Sequence, residues 1–341
     1  MRLRNSFLVL AVFLSGAITA EDRVKEPYCK WDDNITGARL GVSDNMLKPR
    51  GDHASEQIAE HLPAGLPTTN YAANSSEVLL AQPDFLIMYD TDLKVALWTA
   101  HRLTRDEAAA SPPRENSTEP PVAEKRADSF RSDLRLAAGE QSTCKNYKEP
   151  IFDQGHMVPN ADLDFFSPGE SIARSMDHSF LMSNMTPQHC AFNRGPWLVL
   201  ESLSRSWASA APETWIITGT VFDRDGNNLR DTDQAAWKMT GKSGVPSVAI
   251  PSHQYKIIVQ KDGADFKTMT VLVPNVDKKI SNTEMPDYLK GKVSDLTEVK
   301  QLTGLDFFVG ETVAEATELW PLSGRWQPVL SGPCKREYPD F

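Results

Sequence analysis

Two stretches of the chain, IFDQGHMVPNADLDF (residues 151–165) and SNMTPQHCAFNRGPWLVLES (residues 183–202), bring together a histidine, an asparagine and a glutamate. An imidazole titrates near pH 6.5, so a neutral His156 takes a proton from water at physiological pH and is the candidate general base. Asn193 offers one neutral carbonyl oxygen. A hard ion such as Mg²⁺ tolerates a single protein ligand because it keeps several waters and shares the substrate phosphate. With Glu201 as a nearby carboxylate, the trio has the parts to hydrolyse a phosphodiester around one hard metal ion. Taken singly each residue has an ordinary reading: His156 as a structural histidine before a proline turn, Asn193 as a helix cap, Glu201 as a solvated helix residue.

The elements that must position them are legible in outline. Ile151 and Phe152 read as the end of an apolar strand that breaks at Gly155 and delivers His156 into a turn closed by Pro159. In the second stretch, Ser183, Asn184, Thr186 and Pro187 form a turn-rich entry. Trp197, Leu200, Leu203 and Trp207 then recur at helical spacing, which predicts a mostly buried helix. Pro196 fits that helix at its first position, where a missing N–H does no harm. Asn193 would then lie just before the helix and Glu201 inside it.

These stretches resemble the active-site signature of the DNA/RNA non-specific endonucleases, the ββα-metal nucleases. The family pattern runs D-R-G-H-x-x-P, then S-N-x-x-P-Q, then F/L-N-x-G-x-W and L-E. This chain shows Asp153-Gln154-Gly155-His156, Pro159, Ser183-Asn184, Pro187-Gln188, Phe192-Asn193, Gly195, Trp197 and Leu200-Glu201 in the same order and spacing. WTAHRLTRDE is similar to the family's upstream strand with a catalytic arginine, here Arg102, and RADSFRSDLRL to the segment after it. TWIITGTVF, VPSVAIPSHQYKIIVQ and TGLDFF resemble later strands.

The resemblance implies Asn193 as the metal ligand, for Mg²⁺ with Mn²⁺ or Ca²⁺ as substitutes, and Glu201 holding a water of the ion. It implies Arg102 neutralising charge on the phosphate, a task suited to an always-protonated fork, and products with 5′ phosphates. Asn184 and Gln154 take supporting roles, orienting His156 or the phosphate, and Arg194 joins the substrate-binding groove. Asp153 is expected to bond the turn that carries His156. His178 and His189 are expected at surface or core positions. The departure from the pattern is Gln154, where the family has arginine: a neutral donor replaces a fixed positive charge, and neutral hydrogen bonds are about half as strong as charge-assisted ones.

Length and composition set the frame, since 341 residues with 40% hydrophobic and 24% charged side chains have ample core. Residues 1–20 have a basic start (Arg2, Arg4), an apolar run and small residues at Ala17 and Ala20, the layout of a cleaved secretory signal. No later stretch is long enough to span a membrane, so secretion is expected. Cys29, Cys144, Cys190 and Cys334 suit an oxidising compartment. Three disulfide pairings are open to them, and the expectation joins Cys29 to Cys334 and Cys144 to Cys190. Asn34, Asn74 and Asn116 are glycosylation acceptors; Asn184 is one formally, and is expected to stay bare because a glycan would fill the cleft.

The net charge of −10, more negative once Arg2 and Arg4 leave with the signal, is opposite to that of a typical nucleic-acid binder. A local groove can supply the cations, with candidates Arg102, Arg105, Arg126, Arg131, Arg135 and Arg194. DNA or RNA is the expected partner; oligomeric state is open.

Along the chain, residues 21–75 read as an N-terminal extension and residues 76–341 as the nuclease domain, with residues 106–125 as an exposed insertion. FLIMYD and KVALWTAH should be neighbouring strands. The Asp225-Gly226 turn has its glycine too early for an EF-hand, and Gly241-Lys242-Ser243 lacks the first glycine of a phosphate loop. The expected fold is α+β, a central antiparallel sheet with helices on its faces and the ββα unit at one edge. Two rival readings are an enzyme-dead relative that binds nucleic acid or another partner, and a secreted, disulfide-stapled binding glycoprotein.

Overall fold

The computed structural model describes residues 38–42, 49–50, 52–71, 76–82, 84–110, 130–137, 139–148, 151–163, 178–231, 238–239 and 247–322. The proposed signal, Cys29, Cys334, Arg126 and the acceptors Asn34, Asn74 and Asn116 lie outside the described residues.

The strands are β1 (Ala38–Val42), β2 (Pro49–Arg50), β3 (Thr68–Thr69), β4 (Glu77–Ala81), β5 (Leu86–Asp90), β6 (Val95–Thr104), β7 (Phe152–His156) and β8 (Met185–His189). They continue with β9 (Glu213–Val221), β10 (Lys238–Met239), β11 (Val248–Ala249), β12 (His253–Asp262), β13 (Asp265–Pro274), β14 (Val293–Ser294), β15 (Leu305–Asp306) and β16 (Val313–Glu315). The helices are α1 (Asp52–His61), α2 (Arg105–Ala110), α3 (Cys190–Phe192), α4 (Leu198–Ser209), α5 (Met285–Lys290) and α6 (Leu296–Thr303).

The large sheet runs β14-β13-β12-β9-β6-β5-β4-β1-β2, antiparallel throughout, with β16 added parallel to β13. Its centre is built from β-branched and aromatic runs that pack on both faces. FLIMYD and KVALWTAH form the antiparallel pair β5 and β6. Their connection is capped by Asp90, whose Oδ1 accepts from the amides of Asp92 and Leu93.

Alternation along the strands sorts side chains between two cores. On one face Leu79, Met88, Trp98, Ile217 and Tyr255 pack with Ile58 and Leu62 at α1 and Val299 and Leu302 of α6. On the other, Ile258, Met269 and Val271 pack against Trp197 and against Leu200, Leu203 and Trp207 of α4. On that second side Leu80, Ile87 and Tyr89 meet Met157, Val158 and Leu163, just after His156. A bulge in the β5–β6 pairing, between Met88 and Tyr89, sets the register from Trp98 onward.

Three differences from expectation follow. β1, α1 and β3 belong to the folded domain rather than to an extension: β1 pairs with β4, Ile58 and Leu62 are core, and the Trp215 indole donates to Glu60 O at 2.9 Å. Residues 106–110, assigned to the insertion, complete α2, whose Ala108 packs with Ala208 of α4. The β7–β8 hairpin is a separate two-stranded sheet, and its continuation packs over a face of the large sheet instead of extending an edge. That face is apolar, so the hairpin segment is anchored by burial and not by ladder hydrogen bonds.

Gly219 in β9 is required by close approach, because a Cβ there would lie 2.1 Å from the Tyr255 ring. Gly219→Ala should lower the free energy of unfolding by about 1–3 kcal/mol, the range for overpacking a full core. Urea denaturation of the two proteins measures it.

Candidate active site

β7 and β8 form the hairpin that carries the histidine, with Asp153 opposite Gln188, Gly155 opposite Thr186 and His156 opposite Met185. The strand continues to His156 instead of breaking at Gly155. Gly155 is needed for contact: a Cβ there would lie 2.0 Å from the side chain of Gln188, which in turn donates to Gln254 Oε1 at 2.7 Å. Glycine thus lets the second motif's glutamine lie across the first motif's strand.

His156 is partly exposed, at the end of β7. Its ring meets Phe180 edge-on at 5.0 Å and Phe130 at 6.2 Å. The backbone after it is fastened by Asn184, which is fully buried. The Asn184 side-chain oxygen accepts from Val158 N at 3.0 Å, and its nitrogen donates to Val158 O at 3.0 Å and Ser179 O at 2.9 Å. All of these bonds are internal, so Asn184 positions the histidine loop and does not reach a phosphate. Burial also removes it as a sugar acceptor in the folded chain.

Asn193 opens a wide π-helical turn, Asn193–Trp197, set between α3 and α4. Pro196 lies inside this turn and not at the first position of α4. It has no N–H to continue an α-helical ladder, and Gly195 leaves the helical region at φ −113°, ψ −115°. The wider turn accommodates both, and such turns recur at functional sites. Glu201 consequently falls in the first turn of α4, where the helix N-terminus favours a carboxylate.

The link between hairpin and turn is Asp153, 1% exposed. Its Oδ2 accepts from Asn193 Nδ2 at 3.0 Å and from Arg194 Nε at 2.8 Å, and its Oδ1 from an Arg194 terminal nitrogen at 2.8 Å. Asp153 thus reaches beyond the strand and turn that carry His156 and bonds the helical segment. With the amide nitrogen of Asn193 held by Asp153, the carbonyl oxygen is the end left to present to a cation. Asp153 and His156 are three residues apart on one strand, about 10 Å at strand rise. Arg194, expected in the groove, has its fork committed to Asp153.

Arg102 does not join this site. From Trp98 onward β6 turns its even-numbered residues toward α1, and Arg102 pairs there with Glu213 at 2.8 Å and Glu60 at 3.2 Å. α4 lies on the opposite face, toward which His101 points. Arg135 is likewise structural, forked onto buried Asp133 and donating to Ala81 O. Gln154 is buried, 7% exposed, at the hairpin. His178 is buried, and His189 lies against Phe152 at 4.5 Å with the rings tilted by 45°, where burial lowers its pKa. Cys144 and Cys190, expected to pair with each other, are each disulfide-bonded, and Cys29 and Cys334, expected as the other pair, lie outside the described residues.

A second set of residues behind the site escaped sequence reasoning. Buried Asp162, on the short turn Asn160–Asp162 after His156, receives Arg205 of α4 on Oδ1 at 2.6 Å and faces His101 Nε2 at 3.0 Å on Oδ2. Burial works to raise the Asp162 pKa, but Arg205, His101 and Lys256 outweigh it and hold the carboxyl below its ordinary value. The signals were in the sequence: Asp162 lies within the first stretch, Arg205 is four residues from Glu201 on one helix face, and His101 alternates with Arg102.

Because the folded pKa of Asp162 is depressed, its stabilisation is present above the unfolded value near 3.8 and is lost as pH falls through the folded value. Asp162→Asn should destabilise the protein by about 3 kcal/mol at pH 7. The difference from wild type should shrink in urea titrations below about pH 4.

Sequence comparison agrees with this geometry. The family model described as DNA/RNA non-specific endonuclease matches residues 63–314. Nuclease C1 of Cunninghamella echinulata var. echinulata is 29% identical over 235 residues, covering 67% of this chain and 82% of that protein. The nuclease of Serratia marcescens is 27% identical, covering 63% and 76%, and human mitochondrial endonuclease G is 24% identical, covering 71% and 72%. The chain belongs to the DNA/RNA non-specific endonuclease family, a ββα-metal nuclease fold in which β7, β8 and the helical segment running from Asn193 into α4 form the ββα unit.

Proposed function

We propose that this protein is a secreted, Mg²⁺-dependent endonuclease that hydrolyses phosphodiester bonds of DNA, RNA or both and leaves 5′ phosphates. The observation that carries the reading is the Asp153 bridge, which joins the strand of His156 to the turn of Asn193 and fixes which end of the Asn193 amide is presented.

The donor set fits a hard ion. Asn193 supplies a neutral oxygen and Glu201 a carboxylate eight residues on. Among the described residues no group of three His, Cys, Asp or Glu side chains forms a closed cage. A cation held at Asn193 therefore keeps most of its water, as Mg²⁺ prefers. When bound, Mg²⁺ would polarise the phosphate and stabilise the departing 3′ oxygen; Mn²⁺ or Ca²⁺ are possible occupants of the same donors.

The chain's own residues do the rest. His156, with one side of its ring against Phe130 and Phe180, takes the proton of the attacking water. Asn184 holds the His156 loop in place, and Asn193 and Glu201 are the residues that would hold and orient a hydrated cation beside the phosphate. Arg102 and Arg194 are ion-paired in this conformation, so neither is assigned to the phosphate. The secretory leader and two disulfides, Cys29 with Cys334 and Cys144 with Cys190, complete the proposal, together with glycans on Asn34, Asn74 and Asn116.

A catalytically impaired relative is the second reading. It is favoured by Gln154 in place of the family's arginine and by the carboxylates that occupy Arg102 and Arg194.

Digestion of duplex DNA, single-stranded DNA and RNA in Mg²⁺ separates the two. The active reading expects cleavage that EDTA stops, and losses on the order of 10²-fold or more in kcat for His156→Ala and for Asn193→Ala. Absence of cleavage of all three substrates, with retardation of DNA on a gel, would instead establish the impaired reading. Restoration by Zn²⁺ but not Mg²⁺ would overturn the ligand assignment.

A further inference from the structure

We propose that Asn275 is a positioning residue of the nuclease reaction: its side chain grips the junction between β8 and α3 and so fixes the hairpin of His156 on the large sheet that carries α4. The inference rests on the roles given to His156 and Asn193 above. Asn275 directly follows β13 and is 4% exposed. Its Oδ1 accepts from His189 N at 2.8 Å, and its Nδ2 donates to Pro187 O and to Pro251 O, both at 3.0 Å. Its backbone N–H donates to Ser252 O at 2.8 Å, just before β12. One residue thus joins the hairpin, the segment leading into β12 and the end of β13.

Pro187 O and His189 N flank Gln188 on the same edge of β8, spaced as the groups that a neighbouring strand would pair. The Asn275 amide answers both. Gln188 itself lies opposite Asp153 and donates to Gln254 of β12. His189 is at once the last residue of β8 and the N-cap of α3, and the next residue, Cys190, donates its N–H to Ile151 O at 2.9 Å. From that junction the helical path runs through Asn193 into α4.

Three bodies therefore meet around the site, and each pair of them is tied. Asp153 ties the hairpin to the helical path, and apolar packing ties α4 to β12 and β13. Asn275 closes the third side, hairpin to sheet. With all three sides held, the angle between the strand of His156 and the turn of Asn193 has one value. Released on the third side, the hairpin is left to pivot about the Asp153 bridge. The residue type follows from its surroundings: two carbonyls and one N–H require two donors and one acceptor on a short planar group, which asparagine supplies. Aspartate there would set an oxygen against two buried carbonyls.

Asn275→Ala removes the grip, and Asn275→Asp keeps its shape without the two donors. In the full chain, kcat for plasmid cleavage by either variant should fall about 10–100-fold, the scale of misplacing a reacting group by an ångström. KM should change less than about twofold. In a His156→Ala background, assayed at high enzyme concentration, Asn275→Ala should cost less than about threefold, because the group it positions is gone. A residue that only stabilised the fold would cost the same in both backgrounds.

Hydrogen exchange gives a readout that needs no activity. The His189 amide should be protected in the wild type and exchange at least about 10-fold faster in a folded Asn275→Ala. Equal kcat losses in the two backgrounds, wild-type kcat in a folded Asn275→Ala, or unchanged exchange at His189 each overturn the proposal. Should neither variant fold, exchange in the wild type decides: protection of the His189 amide equal to that of the β12 amides supports the grip, and rapid exchange in the folded protein overturns it. Unaffected cleavage by His156→Ala sinks the functional reading beneath the proposal, a result that the exchange measurement does not share.

Discussion

The site depends on one carboxylate. Asp153 is buried at the hairpin and accepts three hydrogen bonds from the next segment of the ββα unit, two from the Arg194 fork and one from Asn193. A buried charge is tolerated only when paired and hydrogen-bonded, so the strand and the turn are held to each other by the cost of separating them. The same bonds orient the Asn193 amide. On the proposed role of Asn193, a structural ion pair and the presentation of a metal ligand are one arrangement.

Behind it lies a wider buried electrostatic layer in which Asp162, His101, Arg205 and Lys256 connect the loop after His156, the sheet and α4. Each contact spans two elements, so small displacements of the hairpin relative to the helix carry an electrostatic cost. Preorganisation of this kind is what a metal-assisted hydrolysis demands, because misplacing a reacting group by an ångström is expensive in rate. These arginines do not offset the acidic net charge: Arg135, Arg194 and Arg205 serve internal carboxylates, and Arg102 serves surface ones.

How much could be read beforehand differed by residue. His156, Asn193 and Glu201 stood out because their types and spacing have a chemical rationale, and β5, β6 and β9 because their apolar runs are strand-like. Arg102 was misplaced because sequence order does not state which face of a strand looks at which helix; one bulge in the β5–β6 pairing sets that parity. Pro196 was set one element too late because a helix with a π turn at its start has no sequence signature distinct from a capped helix. The folded N-terminal segment has little signal because, among the described residues, its core contribution around α1 is Ile58 and, just after the helix, Leu62, which pack in one cluster with the distant Trp98 and Trp215.

The sequence by itself determined the chemistry on offer, the order of the ββα elements and the antiparallel α+β class, since residue type and local periodicity are properties of the chain. Only the tertiary structure decided which charges meet. It gave Arg194 to Asp153 and Arg102 to Glu213 and Glu60. Those pairings join residues far apart along the chain, and they exist because packing on the sheet's two faces brings charged groups of distant segments together, Arg102 with two carboxylates and Asp162 with Arg205 and His101.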